Sequence, residues 1–222
     1  MDTPRPTASR PVPSWKEQAR ELLHEAILGA ARTTFAEKGY EGATVDEIAE
    51  RAGVGKGTVY NHIDGGKAGL FAAVLGEHFD DLDRIAAEAL ADEAAPLRDR
   101  FARYAEGVAS YFAEHLDHLV LHLRDVPRLV FSAEGVEQAV LLKERRRRLV
   151  AALVPPIEAA AARGEIRAVP AEMAAQFCFS ALLSYLFQTC HVDDRPGPEV
   201  KGVSQLVALV FDGLGAEGPA ST

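Results

Sequence analysis

The punctuation between Ser14 and Leu75 constrains this chain more than any other feature, because it allows only a few short helices separated by tight turns. Ser14-Trp15-Lys16-Glu17 has the S-x-x-E form of a capping box, in which hydroxyl and carboxylate each satisfy a backbone N–H, so a helix begins at Trp15. Leu23, Ile27, Ala30, Ala31, Thr34 and Phe35 then recur at spacings of three and four and define one buried face. Gly39 ends this helix, since glycine takes the left-handed conformation and the preceding Lys38 suits the negative end of the dipole. A second capping box, Thr44-Val45-Asp46-Glu47, opens a short helix with the apolar set Val45, Ile48 and Ala49, which stops at Gly53.

After Val54 the run Gly55-Lys56-Gly57-Thr58-Val59-Tyr60-Asn61-His62-Ile63 reads as another short helix, with Val59 and Ile63 four apart and facing inward. Its other face is Lys56, Gly57, Thr58, Tyr60, Asn61 and His62. A core helix would not carry that set, and a generic surface helix rarely omits carboxylates from it. Helix, glycine turn and second helix together read as a helix-turn-helix, which makes double-stranded DNA the first partner to consider.

Four segments, Phe35-Ala36-Glu37-Lys38-Gly39-Tyr40, Thr44-Val45-Asp46-Glu47-Ile48-Ala49, Arg51-Ala52-Gly53-Val54 and Lys56-Gly57-Thr58-Val59-Tyr60-Asn61-His62, closely resemble the DNA-binding domain of TetR-family transcriptional regulators. The resemblance is specific over residues 20 to 75 and implies a homodimeric, all-helical repressor with a ligand pocket in each C-terminal domain. Two departures stand out. Gly55 replaces the Ser or Thr that the family usually places before the recognition helix, leaving its backbone N–H to serve. The turn Ile63-Asp64-Gly65-Gly66-Lys67 is one residue longer than the family's, with Lys67 in the position that implies a phosphate contact.

The N-terminal half of the recognition helix enters the major groove with Lys56, Thr58 and Asn61 nearest the base edges. Lysine donates to guanine and asparagine pairs with adenine. Gly57 lets the backbone approach closely. By resemblance, Tyr60 and His62 clamp phosphates, and Thr44 adds a contact from the start of its helix. The formal net charge of -9 does not oppose this reading. Residues 1–67 hold 9 basic and 10 acidic residues, so the acidity belongs mostly to the remainder. Local positive charge governs phosphate contact, while an acidic body limits non-specific affinity.

The expected fold class is all-α: an N-terminal helix-turn-helix domain plus a larger helical domain for effector binding and dimerisation. Residues 1–13, with four prolines and the basic Arg5 and Arg10, form a disordered tail; 14–66 the DNA-binding domain; 67–214 the effector and dimerisation domain; 215–222 a second tail. Breaks at Pro96, Gly135, Gly164, Pro170 and Asp193–Pro198 divide the larger part into helices near 67–93, 96–115, 117–130, 136–163, 170–190 and 199–214. Asp117 reads as a cap, and Pro155-Pro156 kinks the segment that contains it. No stretch is long and apolar enough to span a membrane and no signal segment opens the chain, so a cytoplasmic protein is expected. Cys178 and Cys190 stand twelve apart on one helix and read as packed thiols.

The resemblance implies that the last two helices form the dimer interface: one is apolar nearly all round, and the other carries Val203, Leu206, Val207, Val210 and Phe211 on one face, although periodicity alone fits an intramolecular core as well. His115, His118, His122 and Asp125, with Tyr111 a turn earlier, suggest either a metal site or a pocket wall. The break at Asp117 moves His115 to a separate helix, and the pocket reading is preferred. Tyr104, Tyr111, His118, His122 and Phe179 are the candidate wall residues, for a small lipophilic or aromatic effector. No cofactor and no metal are expected. Arg145 to Arg148 point around the whole circumference of a helix and read as solvated and paired with acidic residues. A DNA-binding regulator controlled by a protein partner is the alternative. A helical metal-dependent enzyme is a further rival, but the chain has no HExxH, G-x-S-x-G or phosphate loop.

Overall fold

The computed structural model describes residues 14–125, 136–191 and 200–213. The two tails with Arg5 and Arg10, the breaks at Gly135 and Asp193–Pro198, and the side chain of Cys190 lie outside the described residues. Among the described residues there is no strand, and no helix is long and apolar enough to cross a membrane.

Helix α1, Trp15–Gly42, starts at the expected box: Glu17 N–H donates to Ser14 Oγ (3.3 Å) and Ser14 N–H to Glu17 Oε2 (2.6 Å). Gly39 breaks its regular run, as expected, but a further turn is joined on beyond it. With φ 76° it puts a kink in the helix, and that turn runs to Gly42, closed by Ala43 N–H on Gly39 O (3.2 Å). Helix α2, Val45–Arg51, repeats the reciprocal cap through Thr44 and Glu47 (3.3 and 3.2 Å). Helix α3, Lys56–His62, follows, and Gly65 and Gly66, both at positive φ, turn the chain into α4, Gly66–Leu90. The expected extension of α4 to Glu93 is not found, because Asp92 Oδ1 accepts from Ala94 N–H (3.1 Å) and folds the chain into a turn before Pro96.

Helix α5, Leu97–Glu114, is followed after His115 by α6, Leu116–Val120, which runs into a π-helical turn at Leu121–Asp125. His115 rather than Asp117 stands at the break. Asp117 lies inside α6, where its Oδ1 accepts from His118 N–H (3.0 Å). Helices α7, Val136–Ala151, and α8, Val154–Arg163, replace the single kinked segment: the prolines occupy the first turn of α8, where a missing N–H costs nothing, and the break falls just before them. Helix α9, Ala171–His191, and α10, Val203–Asp212, preceded by a 3-10 turn at Val200–Gly202, complete the chain.

One continuous apolar core joins the two parts. Phe35 of α1 meets Phe71 of α4 edge-on with ring centroids 5.0 Å apart, and Phe79, Phe101, Tyr104 and Phe112 carry the core into the larger part. Helix α4 spans both parts and lies against α1 and α5. At Gly107 of α5 the contact is so close that a Cβ would stand 2.8 Å from Ile85 Cγ2 of α4. The arginine run behaves as expected. Arg145 reaches Asp80 (2.5 Å) and Asp83 (3.5 Å) on α4, Arg147 and Arg148 approach Glu144, and Arg146 lies over the Phe179 ring.

Candidate DNA-reading surface and the seam behind it

Two fully or nearly buried side chains, Val59 and Ile63, fix α3 in the core, where it lies against α2. The remaining residues of α3 then face out: Gly55, Lys56, Gly57, Tyr60 and Asn61 are exposed, and Thr58 and His62 half-buried. Gly55 caps α3 without a side chain, its carbonyl accepting from Thr58 N–H (2.9 Å). The His62 ring is held to its own helix through Nδ1 and Thr58 O (2.9 Å), and the Tyr60 ring lies over Gly66. Thr44, exposed, uses its hydroxyl as a cap, and Lys67 is engaged by Glu41 O (3.3 Å) and the face of Tyr40 (4.7 Å).

Reading α3 in isolation missed a carboxylate that α2 supplies. Asp46 Oδ2 sits 2.8 Å from Lys56 Nζ and raises the ammonium's pKa. Arg51 binds Glu37 through two nitrogens (3.0 and 2.5 Å), and Lys38 binds Glu47 (2.6 Å). These pairs brace α1, α2 and α3 at their rim, and being exposed each contributes little stability.

Behind this unit a polar seam joins α1 to α6 and the π turn. Arg32 of α1 places Nε 2.7 Å from Asp117 Oδ2 and Nη1 3.4 Å from His118 Nε2. Guanidinium can only donate, so His118 Nε2 accepts, and the neutral ring carries its proton on Nδ1. That proton is given to Tyr111 Oη. One donor chain therefore links α1, α6 and α5. Burial pushes His118 and His122 down to about 4 and holds His78 well below the ordinary range, with His122 adding to the effect on His78; burial likewise raises the Tyr111 phenol. His78 Nε2 pairs with His122 Nδ1 (3.1 Å), leaving the buried His78 Nδ1 without a partner among the described residues.

The π turn closes the kink of α1. In an unbroken helix Tyr40 N–H would donate to Ala36 O; here it is directed at Asp125 Oδ1 (3.5 Å), and Arg124 Nη1 takes over Ala36 O (3.0 Å) while Nη2 reaches Phe35 O (2.6 Å). Arg124 and Asp125 also bond each other (2.8 Å). His78, Arg32 and Arg124 escaped the sequence reading. Only His78 left a signal there, as a polar residue on the apolar stripe Val74, Leu75, His78, Phe79 and Leu82.

All five candidate wall residues are buried. Tyr111, His118 and His122 meet in the seam, whereas Tyr104 packs beside Phe101 and Phe179 under Arg146. None of them lines a cavity of about 910 Å³ between α5, α8, α9 and α10. Among the described residues no three His, Cys, Asp or Glu side chains converge as metal ligands. The His115 ring is stacked on Tyr111 at 4.6 Å.

A braced helix-turn-helix joined to a helical body by a shared core and a polar seam defines the class. Residues 27–74 match the family described as bacterial regulatory proteins, tetR family. Over 63 residues it is 44% identical to the HTH-type transcriptional activator FasR of Mycolicibacterium smegmatis, an aligned stretch that spans 28% of this chain and only 28% of that relative's length. Over 203 residues it is 28% identical to the HTH-type transcriptional repressor BepR of Brucella suis, covering 90% of this chain and 95% of the relative. The fold is that of the regulator FadR from Bacillus subtilis, solved in complex with stearoyl-CoA, with TM-score 0.76 at 19% identity over 86% of this chain and 100% of that one.

Proposed function

We propose that the chain is a ligand-responsive transcriptional regulator, a repressor that binds a palindromic operator as a homodimer and is released by a small lipophilic or aromatic effector. The observation that carries this reading is the face of α3: Val59 and Ile63 hold the helix from behind while Lys56, Gly57, Tyr60 and Asn61 stand in solvent. Lys56 and Asn61 with Thr58 read base edges. Tyr60, His62, Thr44, Gly55 N–H and Lys67 hold phosphates. To reach a base Lys56 exchanges Asp46 for DNA, a small cost because both groups are exposed.

Dimerisation uses α9 and α10. On α9 the exposed residues Met173, Phe177, Ser180, Ser184 and Phe187 recur at spacings of four and three, and α10 exposes Leu209, a pattern suited to a four-helix bundle of two copies. Such a pair presents two α3 helices about 34–36 Å apart, one DNA turn. The DNA-binding part ends at residue 66, and the operator places the protein in the cytoplasm. The effector enters the larger part, among Tyr104, Tyr111, His118, His122 and Phe179, and acts through the seam on α1 and α4. FadR's stearoyl-CoA supports a lipophilic effector, and BepR's name supports repression.

Selection of genomic DNA fragments tests the proposal, with a Lys56→Ala/Tyr60→Ala variant in parallel at fixed salt. Enrichment of one palindromic site by the native protein alone is expected. Equal enrichment by the folded variant would remove α3 as the reading element.

A further inference from the structure

The cavity of about 910 Å³ lies where the start of α5, the α8–α9 connection, the first turns of α9 and the end of α10 meet. Leu97, Ile157, Val169, Met173, Phe177 and Phe211 make its walls apolar, and its volume is at the upper end of the range for small-molecule sites. The rim charges cancel in pairs with one exception. Arg98 binds Asp212 through two nitrogens (2.6 and 2.9 Å), and Glu165 accepts from Arg163 (2.6 Å) and from Leu97 N–H (2.9 Å). Arg167 lines the same cavity, is exposed, and has no ion-pair partner among the described residues. Cys178 adds no opposing charge, since burial pushes its thiol up to about 11.

We propose that this groove binds a single-chain amphiphile with an anionic head, its tail on the apolar walls and its carboxylate or phosphate on Arg167. The site is separate from the histidine-bearing core and does not depend on the DNA-reading assignment. Guanidinium is suited to either head group because its fork of N–H donors matches both. Met173 and Phe177 also stand on the stripe assigned to the dimer, so a second copy of the chain is the competing occupant.

The test uses the full-length protein and the fluorescence of bound 11-(dansylamino)undecanoic acid, displaced by dodecanoate, dodecyl phosphate, dodecanol or dodecyltrimethylammonium below their micellar concentrations. Both anions should displace the probe at least about tenfold better than the alcohol, with the cation weakest, as a charge-assisted hydrogen bond requires. Arg167→Glu, at an exposed position, should reverse the order of anion and cation, and Ala174→Trp, which fills the groove, should abolish binding. The ratio between the two anions identifies the preferred head group. Equal displacement by anion and alcohol, or undiminished binding by a folded Ala174→Trp protein, would overturn the proposal. So would absence of probe binding together with conversion of the Ala174→Trp protein from dimer to monomer in sedimentation, which would give the groove to the second copy.

Discussion

The reading unit of α1, α2 and α3 and the seam behind it both use polar side chains to hold helices in place, but in opposite ways. In the reading unit the groups are exposed, charged and mostly close in sequence: Thr44 with Glu47, Lys56 with Asp46, Arg51 with Glu37. In the seam they are largely buried, several are neutral, and most partners come from far along the chain: His78 with His122, Arg32 with His118, Arg124 with the end of α1. Exposed pairs tolerate loss because water replaces the partner, whereas a buried group left alone pays its full desolvation cost. The reading unit can therefore exchange its partners for another partner such as the proposed DNA, and the seam cannot exchange its partners for solvent.

Acid should separate the two regions most strongly. His118 and His122 are held down to about 4 from 6.5, so the folded protein binds fewer protons than the unfolded chain between those values. Their neutral state is fully accommodated above pH 6.5, and stability drains as pH falls towards 4, by up to about 3 kcal/mol for each histidine. The lowered carboxylates of the reading unit, Glu37 and Glu47, begin to lose their contribution only as pH falls through their ordinary 4.5, at the lower edge of that window. Denaturant titrations across pH 4 to 7 should show this slope, shallower in His118→Gln. An unchanged slope would mean that the seam histidines are not the titrating groups.

Next in size is Phe112→Ala. Phe112 is fully buried against His78 and His122, and its truncation should cost about 4 kcal/mol, measured as a lower denaturation midpoint. Arg124→Gln removes the donors to Phe35 O and Ala36 O and should cost about 2 kcal/mol. Hydrogen exchange should then rise at the end of α1, and protection unchanged there would disconnect the π turn from the kink. Smallest is Thr44→Ala, where loss of the cap should cost about 1 kcal/mol and leave the acid slope intact.

The same contrast explains what the sequence made legible. Caps, glycine stops and the anchors Val59 and Ile63 act within a few residues, so the reading unit could be drawn residue by residue before any coordinates. Pro155-Pro156 also announced a break, and the structure differs only in making it complete. Asp46 opposite Lys56, the π turn and the His78–His122 pair depend on which helices become neighbours, and periodicity does not encode that. The cavity beside Arg167 is invisible for the same reason, since its walls come from four helices. His118 and His122 were noticed as a pair on one helix, but their partners Arg32 and His78 stand 86 and 44 residues away.

The contact at Gly107 gives α4 a mechanical ratio. A side chain there would collide with Ile85, so α4 and α5 touch closely at this point, near one end of a rod whose other end leads into α3. From Ile85 back to Gly66 the rod is about 28 Å long at 1.5 Å per residue, so a tilt of about 5° about that fulcrum carries Gly66 through about 2.5 Å. In the proposed two-fold pair the displacements add to about 5 Å, set against a groove spacing of about 34–36 Å. On the proposed reading, a small rearrangement at Ile85 is thus geared up into a mismatch with DNA.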